Sequence, residues 1–152
     1  MSPSETPITG LEPVIDPDLP EGALAEFYKA FNGRDLLLMR QNWDATDEAS
    51  MDNPLGGIRR GWTEISPTYE RLFNGAARVE VEFFDYTIHM LGDGFIAVGR
   101  ERGSLEAADT RLDLKIRTSR TFRRDGGRWR QLHHHGSVED ADLLARYQAA
   151  FH

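Results

Sequence analysis

The sequence predicts one α+β domain, with a curved antiparallel sheet that three helices precede and a fourth helix follows. Two periodicities predict this order. Apolar residues recur at helical spacing between Pro20 and Phe73, and they alternate every second residue from Ala76 to Val138. A chain of 152 residues with 39% hydrophobic content is long enough for one well-filled core and too short for two. We therefore expect a single folded domain.

An N-terminal segment precedes this domain. The first 18 residues contain four prolines and show no hydrophobic period, a composition that provides few apolar contacts. We expect residues 1–19 to form a flexible or loosely docked arm and residues 20–152 to form the domain.

Turn and cap residues divide the helical half of the domain into three helices. Asn32-Gly33 ends the first helix, and Asp35 can cap the second. Before the third helix, "ASMDNPLGG" predicts a short strand that Asn53-Pro54 interrupts, because proline cannot donate a ladder hydrogen bond. The predicted helices span residues 20–32, 36 to about 43, and 62–73.

Four long strands are predicted next, as an antiparallel meander. They cover "ARVEVEFFDYTIHML", "FIAVGRERGSLE", "TRLDLKIRTSRTFRR" and "RWRQLHHHGSV". The phase of the apolar residues switches between Phe83 and Phe84, which predicts a β-bulge, and bulges let long sheets curl. A final helix is expected after Ser137, with Asp140 in a capping position.

Composition excludes several classes of function. A net charge of −7 and a pI near 5.2 argue against general binding to nucleic acid or to anionic membranes. The chain has no cysteine, which excludes disulfides and thiolate metal sites. No segment resembles a signal peptide or a membrane span. We expect a soluble, cytoplasmic protein without a cofactor.

Three of the five histidines stand in a row in the last strand, "RWRQLHHHGS". Adjacent side chains on a strand point to opposite faces of the sheet. We expect His133 and His135 on the concave face and His134 on the outer face, although a one-residue slip would exchange these roles. A His-x-His pair supplies two metal ligands and no third is fixed by spacing, so no metal site is predicted.

The expected register of the last two strands depends on Phe122 pairing with Trp129, since aromatic pairs stabilise such ladders. In this register the concave face also carries Arg120, Gln131 and Thr118. A charge on a core-facing row is costly unless it is paired or borders a wet cavity. Two interpretations of Arg120 therefore stay open: a pocket residue, or an arginine that is ion-paired or emerges at the sheet edge.

The order of elements, with "DNPLGG" and the ending "W…HHHGS", resembles the nuclear transport factor 2-like superfamily, which includes SnoaL-like polyketide cyclases and ketosteroid isomerase. The segments "IHMLGD" and "SRTFRRDGGRWRQLHHHGS" are similar to the association domain of calcium/calmodulin-dependent protein kinase II. The resemblance covers residues 20–138. It implies a cone-shaped domain with a concave pocket, and a homodimer formed through the outer sheet face, where Leu132 and His134 are expected.

The resemblance also implies roles for individual residues. In the association domains, arginines on two neighbouring strands line a pocket that accepts carboxylates, and the matching positions are Arg102 and Arg120. Similarity to ketosteroid isomerase places Asn53 where that enzyme has its catalytic aspartate, and Thr118 near its oxyanion-hole acid. An amide cannot abstract a proton, so steroid isomerase chemistry is not expected.

A different catalytic dyad is possible. His133 or His135 as a base, oriented by Asp52, would resemble the His/Asp arrangement of scytalone dehydratase. Aromatic residues of the helical half could wall the same cavity, although aromatics at helical spacing also form ordinary core. These aromatic residues are Tyr28, Trp43 and Trp62.

Three functional hypotheses stay open, because one fold hosts many functions. The first is a domain that binds an organic acid or a polar aromatic molecule. The second is a lyase, isomerase or cyclase that uses a pocket histidine, and the third is a hub-like oligomerisation module. The candidate ligand-binding residues are Arg120, Arg102, Thr118, Gln131, Asn53, Tyr28, Trp43 and Trp62; the candidate catalytic residues are His133, His135 and Asp52.

Overall fold

A computed structural model describes residues 1–138 and 140–151. It confirms the α+β class, with four helices and a curved, unclosed sheet of six strands. The elements are α1 (Pro20–Asn32), α2 (Leu36–Asn42), β1 (Ser50–Asp52), β2 (Ile58–Arg60), α3 (Trp62–Asn74), β3 (Arg78–Met90), β4 (Gly94–Ala107), β5 (Thr110–Asp125), β6 (Arg128–Val138) and α4 (Ala141–Ala149).

The helix caps agree with the sequence patterns. Pro20 opens α1, where its missing N–H costs nothing, and Gly33 ends it. The Asp35 carboxylate accepts a hydrogen bond from the backbone N–H of Leu38 in α2. Asp140 does the same at the start of α4. The buried side of α1 then packs its apolar residues on the concave face of the sheet.

The strand order in the sheet is β2-β1-β6-β5-β4-β3. The four long strands form the predicted antiparallel meander, whereas β1 runs parallel to β6. The predicted bulge in β3 is present slightly later than expected, between Phe84 and Thr87, and Asp85 there has a φ of 50°. This irregularity bends the long strand, as β-bulges do.

A second bulge, in β6, was not predicted, and it corrects the expected register. Phe122 pairs with Gln131 rather than with Trp129, and the next pair along the ladder is Thr121 with His133. Leu132 is thus an extra residue in β6. An extra residue reverses the inside–outside alternation beyond it.

The N-terminal residues lie along β3. Ser4 forms a backbone bridge to Tyr86, and Ile8, which is buried, forms one to Phe83. The predicted flexibility of residues 1–19 stays a prediction, as does the cytoplasmic location. No helix within residues 1–138 and 140–151 has the length and apolar character needed to cross a bilayer.

Candidate ligand-binding cavity

A cavity of about 720 Å³ lies between the concave face of the sheet and helices α1, α3 and α4. This volume is within the range of cavities that bind small molecules. Aromatic and aliphatic side chains form most of its wall. They include Phe27, Phe31, Met51, Leu72, Val79, Val81 and Ile116.

His134 is on the wall of this cavity. Its exposed fraction is 6%, and neither ring nitrogen has a hydrogen-bond partner among the described residues. Burial, reinforced by the positive charge of Arg120, holds the pKa of His134 well below its usual value. The imidazole is therefore neutral at physiological pH, with one donor and one acceptor to offer.

Arg120 lies beside His134, in an ion pair with Glu101 of β4. The distance between Arg120 Nη2 and Glu101 Oε2 is 2.9 Å, and the side chains are only 2% and 7% exposed. The Tyr28 hydroxyl donates to the same carboxylate oxygen at 2.6 Å and accepts from Arg120 Nε at 3.3 Å. The guanidinium also lies 3.6 Å from the centre of the Phe27 ring. The charge of Arg120 is thus already balanced inside the protein.

A chain of buried hydrogen bonds supports Arg120 from behind. Arg120 Nη1 donates to Gln131 Oε1 at 2.8 Å, and Gln131 Nε2 donates to Asn42 Oδ1 at 3.1 Å. Asn42 donates in turn to Glu26, which pairs with Arg128. Satisfied networks of this kind fix side-chain positions in a core.

Two tyrosines, Tyr69 and Tyr147, also line the cavity. Burial raises the pKa of Tyr69 to about 12. Burial, together with the negative charge of Glu101, also raises the pKa of Tyr147. Both hydroxyls stay protonated and neutral at physiological pH, so the ionised groups of the inner wall are Arg120 and Glu101, which compensate each other.

The predicted pocket residues have different positions. Arg120 and Asn53 line the cavity, whereas Tyr28 and Gln131 lie behind Arg120 and hold it. Three further predicted residues are not part of the lining. Trp43 is buried against Tyr69, Trp62 packs at the edge of the core, and Thr118 is buried on the concave side of β5.

The predicted position of Arg102 is wrong. Arg102 is half exposed on the outer face, where its Nε lies 2.9 Å from Glu82 Oε1 and its guanidinium covers the Phe84 ring. Of the two neighbouring β4 residues Glu101 and Arg102, Glu101 is the one that faces inward. The alternation of β4 carried this signal, because the buried residues Phe95, Ala97 and Leu105 share the parity of Glu101.

The predicted orientation of the histidines is also wrong, because of the bulge at Leu132. His133 Nδ1 lies 2.8 Å from Ser50 Oγ, and the exposed His135 has Nδ1 3.0 Å from Asp52 Oδ2. Neither histidine lines the cavity, and Asp52 therefore orients a histidine outside it. A catalytic role for these three residues stays a prediction.

A signal for the bulge was present in the sequence. Trp129 and Val138 are both apolar and both buried, yet they lie an odd number of residues apart. Strict alternation cannot bury both. Counting back from Val138 would have placed His134 inside. Among the described residues, no three potential ligand side chains are grouped closely enough to hold a metal ion.

Comparison with known proteins agrees with this architecture. The family model of the SnoaL-like domain matches residues 21–141. No curated protein has a sequence significantly similar to this chain.

Several solved structures are similar to the chain. A protein from Thiobacillus denitrificans, described as a calcium/calmodulin-dependent protein kinase type II association domain, is 26% identical; the alignment has a TM-score of 0.70 and covers 85% of this chain and 100% of that one. A protein from Streptomyces avermitilis, described as a dehydratase of the nuclear transport factor 2-like family, is 19% identical, with a TM-score of 0.71 and coverage of 78% and 92%. A nuclear transport factor 2-like protein from Salmonella enterica is 20% identical, with a TM-score of 0.67 and coverage of 78% and 87%.

Proposed function

Because the chain belongs to the SnoaL-like domain family, we propose that its cavity binds a small, mostly apolar molecule that carries one neutral hydrogen-bonding group. The observation that carries the proposal is His134, a neutral imidazole in the wall of a mostly apolar cavity, with no hydrogen-bond partner within residues 1–138 and 140–151. Buried polar atoms without partners are rare in folded proteins. A ligand hydroxyl, carbonyl or amine would supply the missing hydrogen bond.

The same geometry argues against a carboxylate at Arg120. Glu101 already forms an ion pair with the Arg120 guanidinium. The Tyr28 hydroxyl and the Gln131 side-chain oxygen each accept a further hydrogen bond from the same guanidinium. A second carboxylate would face the negative charge of Glu101 in a poorly solvated site. The inner end of the cavity therefore suits a neutral group, and the aromatic wall suits a polar aromatic molecule. Both His134 nitrogens are covered, so the ring has to rotate toward the cavity to meet the ligand.

Binding of 2-naphthol and of naphthalene, measured by fluorescence titration, tests the proposal. The hydroxyl should make 2-naphthol bind about two- to tenfold more tightly, the net value of one hydrogen bond. His134→Leu should remove that difference, and the matched control His135→Leu should keep it. No binding of either compound, or a difference that His134→Leu leaves intact, would overturn the proposal.

A second candidate is proton transfer, as in a lyase or isomerase, with His134 as the base. An unprotonated imidazole can accept a proton, and the protonated hydroxyls of Tyr69 and Tyr147 can stabilise an enolate oxygen. The Streptomyces avermitilis relative is described as a dehydratase. The test is deuterium exchange at the carbon next to the carbonyl of 2-tetralone, followed by NMR in D₂O. Exchange that His134→Gln abolishes and His135→Gln preserves supports this candidate; exchange no faster than in buffer excludes it for this ketone.

We also propose a homodimer through the outer sheet face, as the family resemblance implies. Val98 on this face is 46% exposed, and Leu132 is half buried there. His134 was expected on this surface, but it lines the cavity on the opposite face and is not part of the proposed interface. Sedimentation equilibrium of the native chain and of Val98→Glu tests it: a dimer that the substitution dissociates supports the proposal, and a native monomer contradicts it.

A further inference from the structure

We infer that the ligand also carries a negatively charged group, which binds Arg59 and Arg71 at the mouth of the cavity. The inference rests on the proposed function, since it describes the outer end of the same ligand. It defines the ligand class as an amphipathic organic anion, with an apolar body, a neutral polar group at its inner end and a carboxylate or similar anion at its outer end.

Exposure of the lining residues locates the mouth. The lining residues Gly56, Arg71, Gly75 and Ala76 are exposed, whereas those near His134 are buried. The mouth therefore opens between the β1–β2 connection and the C-terminal end of α3, which both supply exposed lining residues. Arg59 lines the cavity from β2 and is half buried.

The charge of the lining is unbalanced at this mouth. The charged residues of the described lining are three arginines and one glutamate, and the glutamate, Glu101, is paired with Arg120 at 2.9 Å. Two positive charges, on Arg59 and Arg71, are left. Within residues 1–138 and 140–151, neither guanidinium has an acidic partner. On a chain with a net charge of −7, this local excess of positive charge favours an anionic ligand group.

The Arg59 guanidinium lies close to the backbone of the β1–β2 connection. Gly57 has a φ of 82°, and a Cβ added there would lie 2.8 Å from Arg59 Nη1. The guanidinium thus lies directly against the glycine backbone. A planar guanidinium binds a carboxylate through paired hydrogen bonds, which a point charge cannot do. The two arginines lie on different elements, so an anion between them would bind from two sides.

The test compares 10-hydroxydecanoate with its methyl ester by isothermal titration calorimetry. The two probes share the apolar chain and the terminal hydroxyl, and only the acid is charged. Partly exposed ion pairs are individually weak, so with two arginines we expect the acid to bind about two- to thirtyfold more tightly than the ester. Arg59→Gln/Arg71→Gln should abolish this advantage, so that the acid and the ester bind equally tightly.

Matched variants control for charge and folding. Arg40→Gln/Arg60→Gln removes two arginines that do not line the cavity, and it should preserve the advantage of the acid. Arg59→Lys/Arg71→Lys keeps the charges and should retain most of it. An ester that binds as tightly as the acid overturns the inference and leaves the proposed function standing. An advantage that Arg59→Gln/Arg71→Gln does not reduce also overturns it, and no binding of either probe overturns both.

Discussion

The two faces of the central sheet carry ion pairs of the same composition and length in opposite surroundings. On the concave face, Arg120 and Glu101 approach to 2.9 Å with side chains that are 2% and 7% exposed. On the outer face, Arg102 and Glu82 also approach to 2.9 Å, but their side chains are 49% and 31% exposed. Identical distances thus give no indication of how strongly each pair affects the protein.

The difference lies in what surrounds each pair. Water screens the outer pair, so that either charge can be solvated when the other is removed. The inner pair is almost fully buried, so solvent compensates poorly for a lost partner, and its members depend on each other and on Tyr28 and Gln131. The histidines differ in the same way, since His134 is buried and neutral while His135 contacts Asp52 at the surface.

The largest expected effect comes from breaking the inner pair alone. Arg120→Met leaves the Glu101 carboxylate buried without its counter-charge, which should lower the free energy of unfolding by about 3–5 kcal/mol. Arg102→Met, the same substitution on the outer face, should change it by less than about 1 kcal/mol. Chemical denaturation with urea measures both. Equal losses in the two variants would contradict the contrast between the faces.

A double variant separates the lost charge balance from lost packing. Arg120→Met/Glu101→Gln removes both charges and keeps an acceptor for the Tyr28 hydroxyl. If the uncompensated carboxylate causes the loss, the double variant should unfold at higher urea than Arg120→Met alone. A double variant that is less stable than the single one would show that packing of the guanidinium matters more.

A smaller effect is expected from the hydroxyl that joins the pair. Tyr28→Phe removes a donor to Glu101 and an acceptor for Arg120, and leaves both with one hydrogen bond fewer. The loss should be about 1–3 kcal/mol in the free energy of unfolding. Tyr86→Phe in β3 is the control and should have little effect. A neutral result for Tyr28→Phe would mean that the buried pair does not need this hydroxyl.

The buried histidine predicts a dependence of stability on pH. The folded protein lowers the pKa of His134, so the unfolded chain binds a proton more readily. Stability should therefore fall as the pH drops below about 6.5. Between about pH 7.5 and about pH 5.5 the native chain should lose up to about 1.4 kcal/mol more of its free energy of unfolding than His134→Gln does. Parallel pH profiles of the two proteins would show that His134 is not buried in its neutral form.

The smallest effect is expected at the outer histidine. His135 and Asp52 are 49% and 32% exposed, so His135→Ala should change the free energy of unfolding by less than about 1 kcal/mol at neutral pH. Urea denaturation of His135→Ala and of His134→Ala compares the two positions directly. A loss at His135 that matches the loss at His134 would contradict the difference between the faces.

The sequence predicted most of the fold because local signals and the tertiary structure agree there. Asp35 caps α2 as expected, and the alternation of β3 revealed a bulge near Phe84. The site was harder to predict, since one extra residue at Leu132 exchanges the faces of all three histidines. The pairing of Phe122 with Trp129 was plausible on aromatic contact alone, but the need to bury both Trp129 and Val138 fixed the register.

The inward position of Glu101 could have been predicted from the sequence, because alternation in β4 places it on the same face as Ala97 and Leu105. The family resemblance instead predicted that Arg102 lines the pocket. The chain of contacts from Arg120 through Gln131 to Asn42 joins elements far apart in sequence. No local pattern specifies such long-range contacts.

The state of the His134 imidazole tests the central claim most directly. Nitrogen-15 NMR of the labelled protein at about pH 6 reports whether each ring is neutral or protonated, and the His134→Gln variant assigns the signal. A neutral ring whose nitrogen shifts change when 2-naphthol is added would match the account. A protonated His134 at this pH, or a neutral ring that 2-naphthol leaves unchanged while it binds, would contradict it.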